Sequence, residues 1–168
     1  MPITTIQLPQ EDARLVFLAV AYHLGRPGSE LDPYTKRPVD HGLAEVAARL
    51  QPQLGGNAAT IDLNQDQARR LLSGMLGTIS ELKSYPMLEL RAGQDGRRSS
   101  VPGFDRTLLH LFPEVEEDAH LADDVAERML LLRRRLDEAL AGLLATLEEA
   151  PEHAPKPNRR WWPFGGRR

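Results

Sequence analysis

Ten residues written twice constrain this chain more than any other feature. Thr5-Ile6-Gln7-Leu8-Pro9-Gln10-Glu11-Asp12-Ala13-Arg14 returns as Thr60-Ile61-Asp62-Leu63-Asn64-Gln65-Asp66-Gln67-Ala68-Arg69, with six identities at an offset of 55. Each copy opens on alternating apolar and polar residues and then changes to a spacing of three and four, so each predicts a short strand that runs straight into a helix. Pro9 suits a first helical turn, where its missing N–H is not needed, and Glu11 and Asp12 favour the positive end of the helix dipole. Asn64 with Gln67 three residues on has the form of a capping box.

The helical stripes match as well. Ala13, Val16, Phe17, Val20, Ala21 and Leu24 correspond to Ala68, Leu71, Leu72, Met75, Leu76 and Ile79, and Leu82 extends the second. Leu15, Leu18 and Ala19 are also apolar, so the first helix is expected to be buried on more than one side, with Gly25 as its stop. Any amphipathic helix carries a stripe, so the identities at Gln10/Gln65 and Arg14/Arg69, on the polar side, are the better sign of repetition. Ser29-Glu30-Leu31 with Tyr34 returns as Ser80-Glu81-Leu82 with Tyr85, and Gly42-Leu43 with Pro52 as Gly103-Phe104 with Pro113. The pattern predicts two related strand–helix–loop–helix units, about 3–54 and 58–115, whose short strands pair across a pseudo-twofold axis. Gly74 and Gly77 stand where the first copy has Ala19 and Tyr22, which fits either a close helix contact or glycines tolerated at the surface.

Residues 118–150 form the longest helical pattern. Val125, Met129, Leu132, Leu136 and Leu143 mark its apolar seam, with Ala139, Leu140 and Leu147 beside them. A helix of that length would span about 50 Å, against about 40 Å for the diameter of a compact domain of this size. With Leu131 on nearly the opposite side, the length predicts a homodimer with those five residues at the seam. Arg133 falls in the apolar arc, where Asp137 is its natural partner at i+4.

Four prolines from Pro151 to Pro163 exclude a helix, so 151–168 is expected to be a flexible tail outside a single helical domain of 1–150. Lys156, Arg159, Arg160, Arg167 and Arg168 place five positive charges there; with a net charge of −3, the body is left with −8. An acidic body makes nucleic acid an unlikely partner. Trp161, Trp162 and Phe164 between the arginine pairs fit the interface of an anionic membrane or an aromatic-reading protein surface.

Chemistry has fewer footholds. No nucleophile elbow or glycine-rich phosphate loop occurs, and the absence of cysteine excludes thiolate ligands and nucleophiles. Glu117 and His120 form one Glu-x-x-His pair, with Asp124 a turn on, where di-iron bundles need two such pairs and further glutamates. The proline-bounded loop 26–41 holds Glu30, Asp32, Tyr34, Asp40 and His41 without a spacing that fixes their geometry. His23 and His110 read as packing residues, and Arg97-Arg98-Ser99-Ser100 as exposed loop. The expectation is therefore a mainly α fold, a helical bundle of the two units plus the long C-terminal helix. Its expected role is that of a non-enzymatic assembly or adaptor protein, without a cofactor. A small helical enzyme or metal-binding protein using the 26–41 loop and the Glu117/His120 region is the alternative. The apolar fraction of 41% and the polar N-terminus suggest a cytoplasmic protein, membrane-associated through its tail.

Overall fold

A computed structural model describes residues 2–26, 34, 39–88 and 99–145, with the backbone alone at Leu88. It is mainly helical with one short two-stranded antiparallel sheet. Strand β1 (Ile3–Pro9) enters helix α1 (Gln10–Gly25) without a loop, and strand β2 (Ala58–Asn64) enters α3 (Gln65–Leu88) in the same way. Between them lie α2 (Leu43–Leu50) and a 3-10 turn (Gln51–Gln53); α4 (Phe104–Leu111), α5 (Glu114–Glu117) and α6 (Leu121–Ala145) follow.

The strands have equal length and begin 55 residues apart, at Ile3 and Ala58. Their register places Ile6 opposite Ile61, so the positions related by that offset face each other at the centre of the ladder. Alternation buries Leu8, Ile61 and Leu63 against the helices. On the outer face the Thr5 hydroxyl donates to Asp62 across the pair, at 2.6 Å. A two-stranded ribbon of this size does not stand alone in water, and here the helices beneath it hold it.

Local chemistry sets the helix starts. The Asn64 side chain accepts from the Gln67 N–H at 2.9 Å, and the Gln67 carboxamide oxygen accepts from the Asn64 N–H at 3.0 Å, closing the predicted capping box. Helices α2 and α4 are each eight residues long and follow a glycine in the left-handed region, Gly42 at φ 77° and Gly103 at φ 79°. At Gly42 a Cβ would also lie 2.9 Å from Gln67 Nε2, which donates to the Gly42 carbonyl at 3.1 Å. One glutamine thus caps α3 and fastens the start of α2 to it.

Helix α3 lies between α1 and α6. It crosses α1 at Gly74 and Gly77: a Cβ at Gly74 would sit 3.3 Å from the Ala19 carbonyl oxygen, and one at Gly77 only 2.4 Å from Tyr22 Cε1. The missing side chains let the helices approach, the first of the two readings that those glycines allow. Along its other side α3 runs antiparallel to α6, as cross-links from Gln65 to the Leu143 carbonyl, from Arg133 to the Leu72 carbonyl and from Lys83 to Glu127 descend in order. Helix α3 continues through Pro86 to Leu88, beyond the predicted stripe, and so matches α6 in length.

That pairing covers the stripe expected to form a dimer seam. Val125, Met129, Leu132, Leu136 and Leu143 are all buried within the chain itself, because α3 supplies the partner that the length of α6 called for. Arg133 likewise turns to the Leu72 carbonyl, at 3.2 Å, and not to Asp137. The long helix begins at Leu121, not 118, since the backbone turns at Ala119-His120 after α5, and residues 146–150 lie outside the described residues. Arg135 reaches α1, gripping the Asp12 carboxylate with one nitrogen at 3.0 and 3.1 Å.

Candidate functional site

Two polar clusters gather where α1 ends. His23, in its last turn, is 3% exposed, and neither ring nitrogen has a hydrogen-bond partner. Its side chain packs against the α1–α3 crossing, 3.4 Å from where a Gly74 Cβ would be. The His41 ring meets it edge-on, with centroids 6.1 Å apart. His41 itself holds φ 51°, an uncommon conformation for a residue with a side chain. Burial lowers the His23 pKa first, and the charges of Arg26, His41 and Arg70 lower it further, opposed by Asp40. Asp40 is engaged with the backbone, accepting from the Gly42 N–H at 3.2 Å.

The preceding residue, Tyr22, stacks edge-on against Phe104, with ring centroids 5.9 Å apart. Burial raises its phenol pKa and Glu81 raises it again, while Arg26 acts the other way. Ser99 donates from its hydroxyl to Glu81, and the same oxygen accepts from the Val101 N–H at 3.0 Å. The Ser99 N–H points at both oxygens of Asp105, 3.2 Å from each. With its hydroxyl so committed, Ser99 holds the turn into α4 and is not placed as a nucleophile. A cavity of about 320 Å³ opens beside it, lined by Ser99, Ser100, Asp105 and Arg106 among others. Ser99 is therefore buried, where an exposed loop was expected; Ser100 is exposed.

The sequence-predicted sites fare unequally. Glu117 ends α5 and His120 stands in the turn before α6, so the two do not share a helix face, and both are exposed. The intervening Asp118 accounts for the break, its carboxylate accepting the His120 N–H at 2.9 Å. Among the described residues no three His, Asp or Glu side chains are grouped to hold a metal ion. His41 and Asp40 do meet the end of α1, whereas Tyr34 stands exposed and Glu30 and Asp32 lie outside the described residues. Arg159, Arg160, Trp161, Trp162, Phe164, Arg167 and Arg168 lie outside them too. Among the described residues no helix is long and apolar enough to cross a membrane.

The outward rows of α3 and α6 carry a feature the sequence marked only in part. Leu76 is 49% exposed and Leu131 57%, each on a row that the Lys83–Glu127 ion pair (3.0 Å) ties to the other. At the far end of this helix pair a cavity of about 350 Å³ is lined by Arg69, Asp137, Ala141, Leu144 and Ala145. The position of Leu131 opposite the stripe marks it in the sequence; Leu76 belongs to the apolar stripe of α3, yet is half-exposed.

No protein-family model matches this chain, and neither the curated proteins nor the solved structures searched include a match.

Proposed function

We propose that this chain is a non-enzymatic assembly or adaptor protein. Its body pairs with a second copy through the outward face of α3 and α6, and its Arg159–Arg168 tail attaches to an anionic membrane surface or a protein partner. The observation that carries this is the pair Leu76 and Leu131, half-exposed leucines on two helices locked side by side. An apolar centre with a charged rim such as Lys83 and Glu127 is the usual anatomy of a protein interface. The dimer contact is thereby moved from the buried stripe of α6 to the opposite side of the same helix.

The body itself is read as a tandem duplication. Support comes from the equal strands and equal short helices, from left-handed glycines at equivalent starts, and from equivalents that meet each other: Ile6 with Ile61, Ala19 with Gly74, Tyr22 with Gly77.

Mass in solution and binding to vesicles of anionic lipid test the two attachments separately. At micromolar concentration the full chain should have the mass of a dimer, and Leu76→Glu with Leu131→Glu that of a monomer. A chain ending at Glu152 should keep the dimer and lose the vesicles. A monomeric parent chain refutes the first attachment. Vesicle binding that survives truncation, or is never seen and is not replaced by tail-dependent protein capture, refutes the second.

A further inference from the structure

The two strands of the ribbon have unlike outer edges. Along β2 the edge is occupied. The Gln53 carboxamide accepts from the Thr60 N–H at 2.9 Å and donates to the Thr60 carbonyl at 3.1 Å, standing in for a neighbouring strand, and Gln67 takes the Asn64 N–H. Thr60 therefore turns its main-chain groups away from β1. In an antiparallel ladder both members of a pair turn the same way, and successive pairs alternate. Gln7, opposite Thr60, thus turns its groups outward as well, and so do Thr5 and Ile3, opposite Asp62 and Asn64. Among the described residues nothing bonds to the main chain of these three on that side. All three are exposed, Ile3 by 65%. Open strand edges are usually blunted by a charge, a proline or a bulge. Ile3-Thr4-Thr5-Ile6-Gln7-Leu8 has neither charge nor proline, and its register with β2 runs without a break.

We propose that this edge receives a second copy of the chain, β1 pairing antiparallel with the copy's β1 about a twofold axis at Thr5. The outward residues lie symmetrically about that axis. Ile3 stands opposite the copy's Gln7, Thr5 opposite Thr5, and Gln7 opposite Ile3, each pair exchanging two hydrogen bonds. An axis at Ile6 would set Ile3 against Pro9, which has no N–H and whose carbonyl serves the first turn of α1. Beneath the edge, Thr4 and the half-buried Ile6 would face the copy's Ile6 and Thr4, covering apolar surface that one chain leaves partly open. The edge carries no charge, so two copies of an acidic body meet there with least repulsion. The two ribbons would become one sheet in the order β2-β1-β1-β2. A contact of one strand on each side is smaller than the ~1,200 Å² of a stable interface, so it should form only above micromolar concentration. It would then be a second twofold contact beside the leucine face, joining dimers into larger assemblies.

Sedimentation equilibrium of the full chain carrying Leu76→Glu and Leu131→Glu reads this contact with the leucine face removed, so failure of either contact is seen apart from the other. The mass should rise from one chain toward two as the concentration approaches about 1 mM. Thr5→Pro removes the central outward N–H at an edge position where proline is tolerated, and should abolish the rise. Thr5→Val gives up the hydroxyl bonded to Asp62 but keeps the N–H, and should leave the rise in place. Thr5→Lys sets like charges face to face and should also abolish it, while an equimolar mixture with Thr5→Glu should restore a dimer of one chain of each kind. Circular dichroism confirms that each variant is folded, and the lysine and glutamate variants decide the matter if Thr5→Pro is not. A chain that stays monomeric to that concentration overturns the proposal. So does a rise that survives Thr5→Pro or Thr5→Lys in a folded chain, or one that Thr5→Val abolishes as fully as Thr5→Pro.

Discussion

Replacing Gly77 by alanine sets two effects of known sign against each other. Alanine is the better helix former by about 1 kcal/mol. Its Cβ, however, would come 2.4 Å from Tyr22 Cε1, 2.9 Å from Cζ and 3.0 Å from Oη, where carbon atoms rest about 3.5–4.0 Å apart. The ring cannot simply swing clear, because its edge is packed on Phe104 and its hydroxyl faces the field of Glu81. Overpacking of this kind costs about 1–3 kcal/mol, so Gly77→Ala should destabilise the protein by a net 1 kcal/mol or so, lowering Tm by about 2–4 °C. Two comparisons isolate the cause. Gly142 has nothing within 4 Å of its notional Cβ, so Gly142→Ala should be stabilising by up to about 1 kcal/mol. In a chain already carrying Tyr22→Ala, Gly77→Ala should change sign and stabilise, giving a coupling of about 2 kcal/mol between the two sites. Urea unfolding followed by circular dichroism at 222 nm measures all of these. If Gly77→Ala stabilises the parent chain as Gly142→Ala does, the close crossing of α1 on α3 is refuted.

Two further predictions concern the polar groups that the fold commits. His23 is held neutral, with its pKa lowered in the folded chain, so the unfolded chain takes up the proton first. Stability should therefore be intact above the ordinary histidine pKa of about 6.5, fall as pH drops below it, and level off below the folded pKa; His23→Leu should flatten this part of the pH profile in thermal melts. Asn64→Ala removes the cap of α3 and should cost about 1 kcal/mol, again read by urea unfolding, while Thr60→Ala on the exposed face of the same strand should cost less.

Much of the scaffold is legible because its signals are local. Alternation in Ile6 to Leu8 states which face is buried, Asn64 and Gln67 state where a helix starts, and Gly74 and Gly77 state where a second helix comes close. What escapes is decided by angles between elements. The stripe of α6 is the same whether a second chain or α3 covers it, so Met129 and Leu136 alone cannot distinguish a dimer from a longer core. Leu76 continues the apolar spacing of Leu72 and Met75, yet it is half-exposed. The cluster around His23 brings the end of α1 against Gly74 of α3, and that of Ser99 brings the turn before α4 against Glu81 of α3; no spacing in the chain announces such meetings. Glu117 and His120 show the reverse, since their helical spacing runs across a residue, Asp118, whose carboxylate accepts the His120 N–H where α5 ends.

The pairing of Ile6 with Ile61 also bears on the order of folding. A hairpin closes through a few residues, but this ladder must close a loop of 54 intervening residues, which costs about 3.5 kcal/mol in chain entropy alone. Two short strands cannot recover that unaided. The ladder should therefore form late, once contacts between α1 and α3 have brought the strands together, and during synthesis β1 must wait, unpaired, until β2 has emerged. The strand that precedes every helix described here should thus be among the last parts of the fold to find its place.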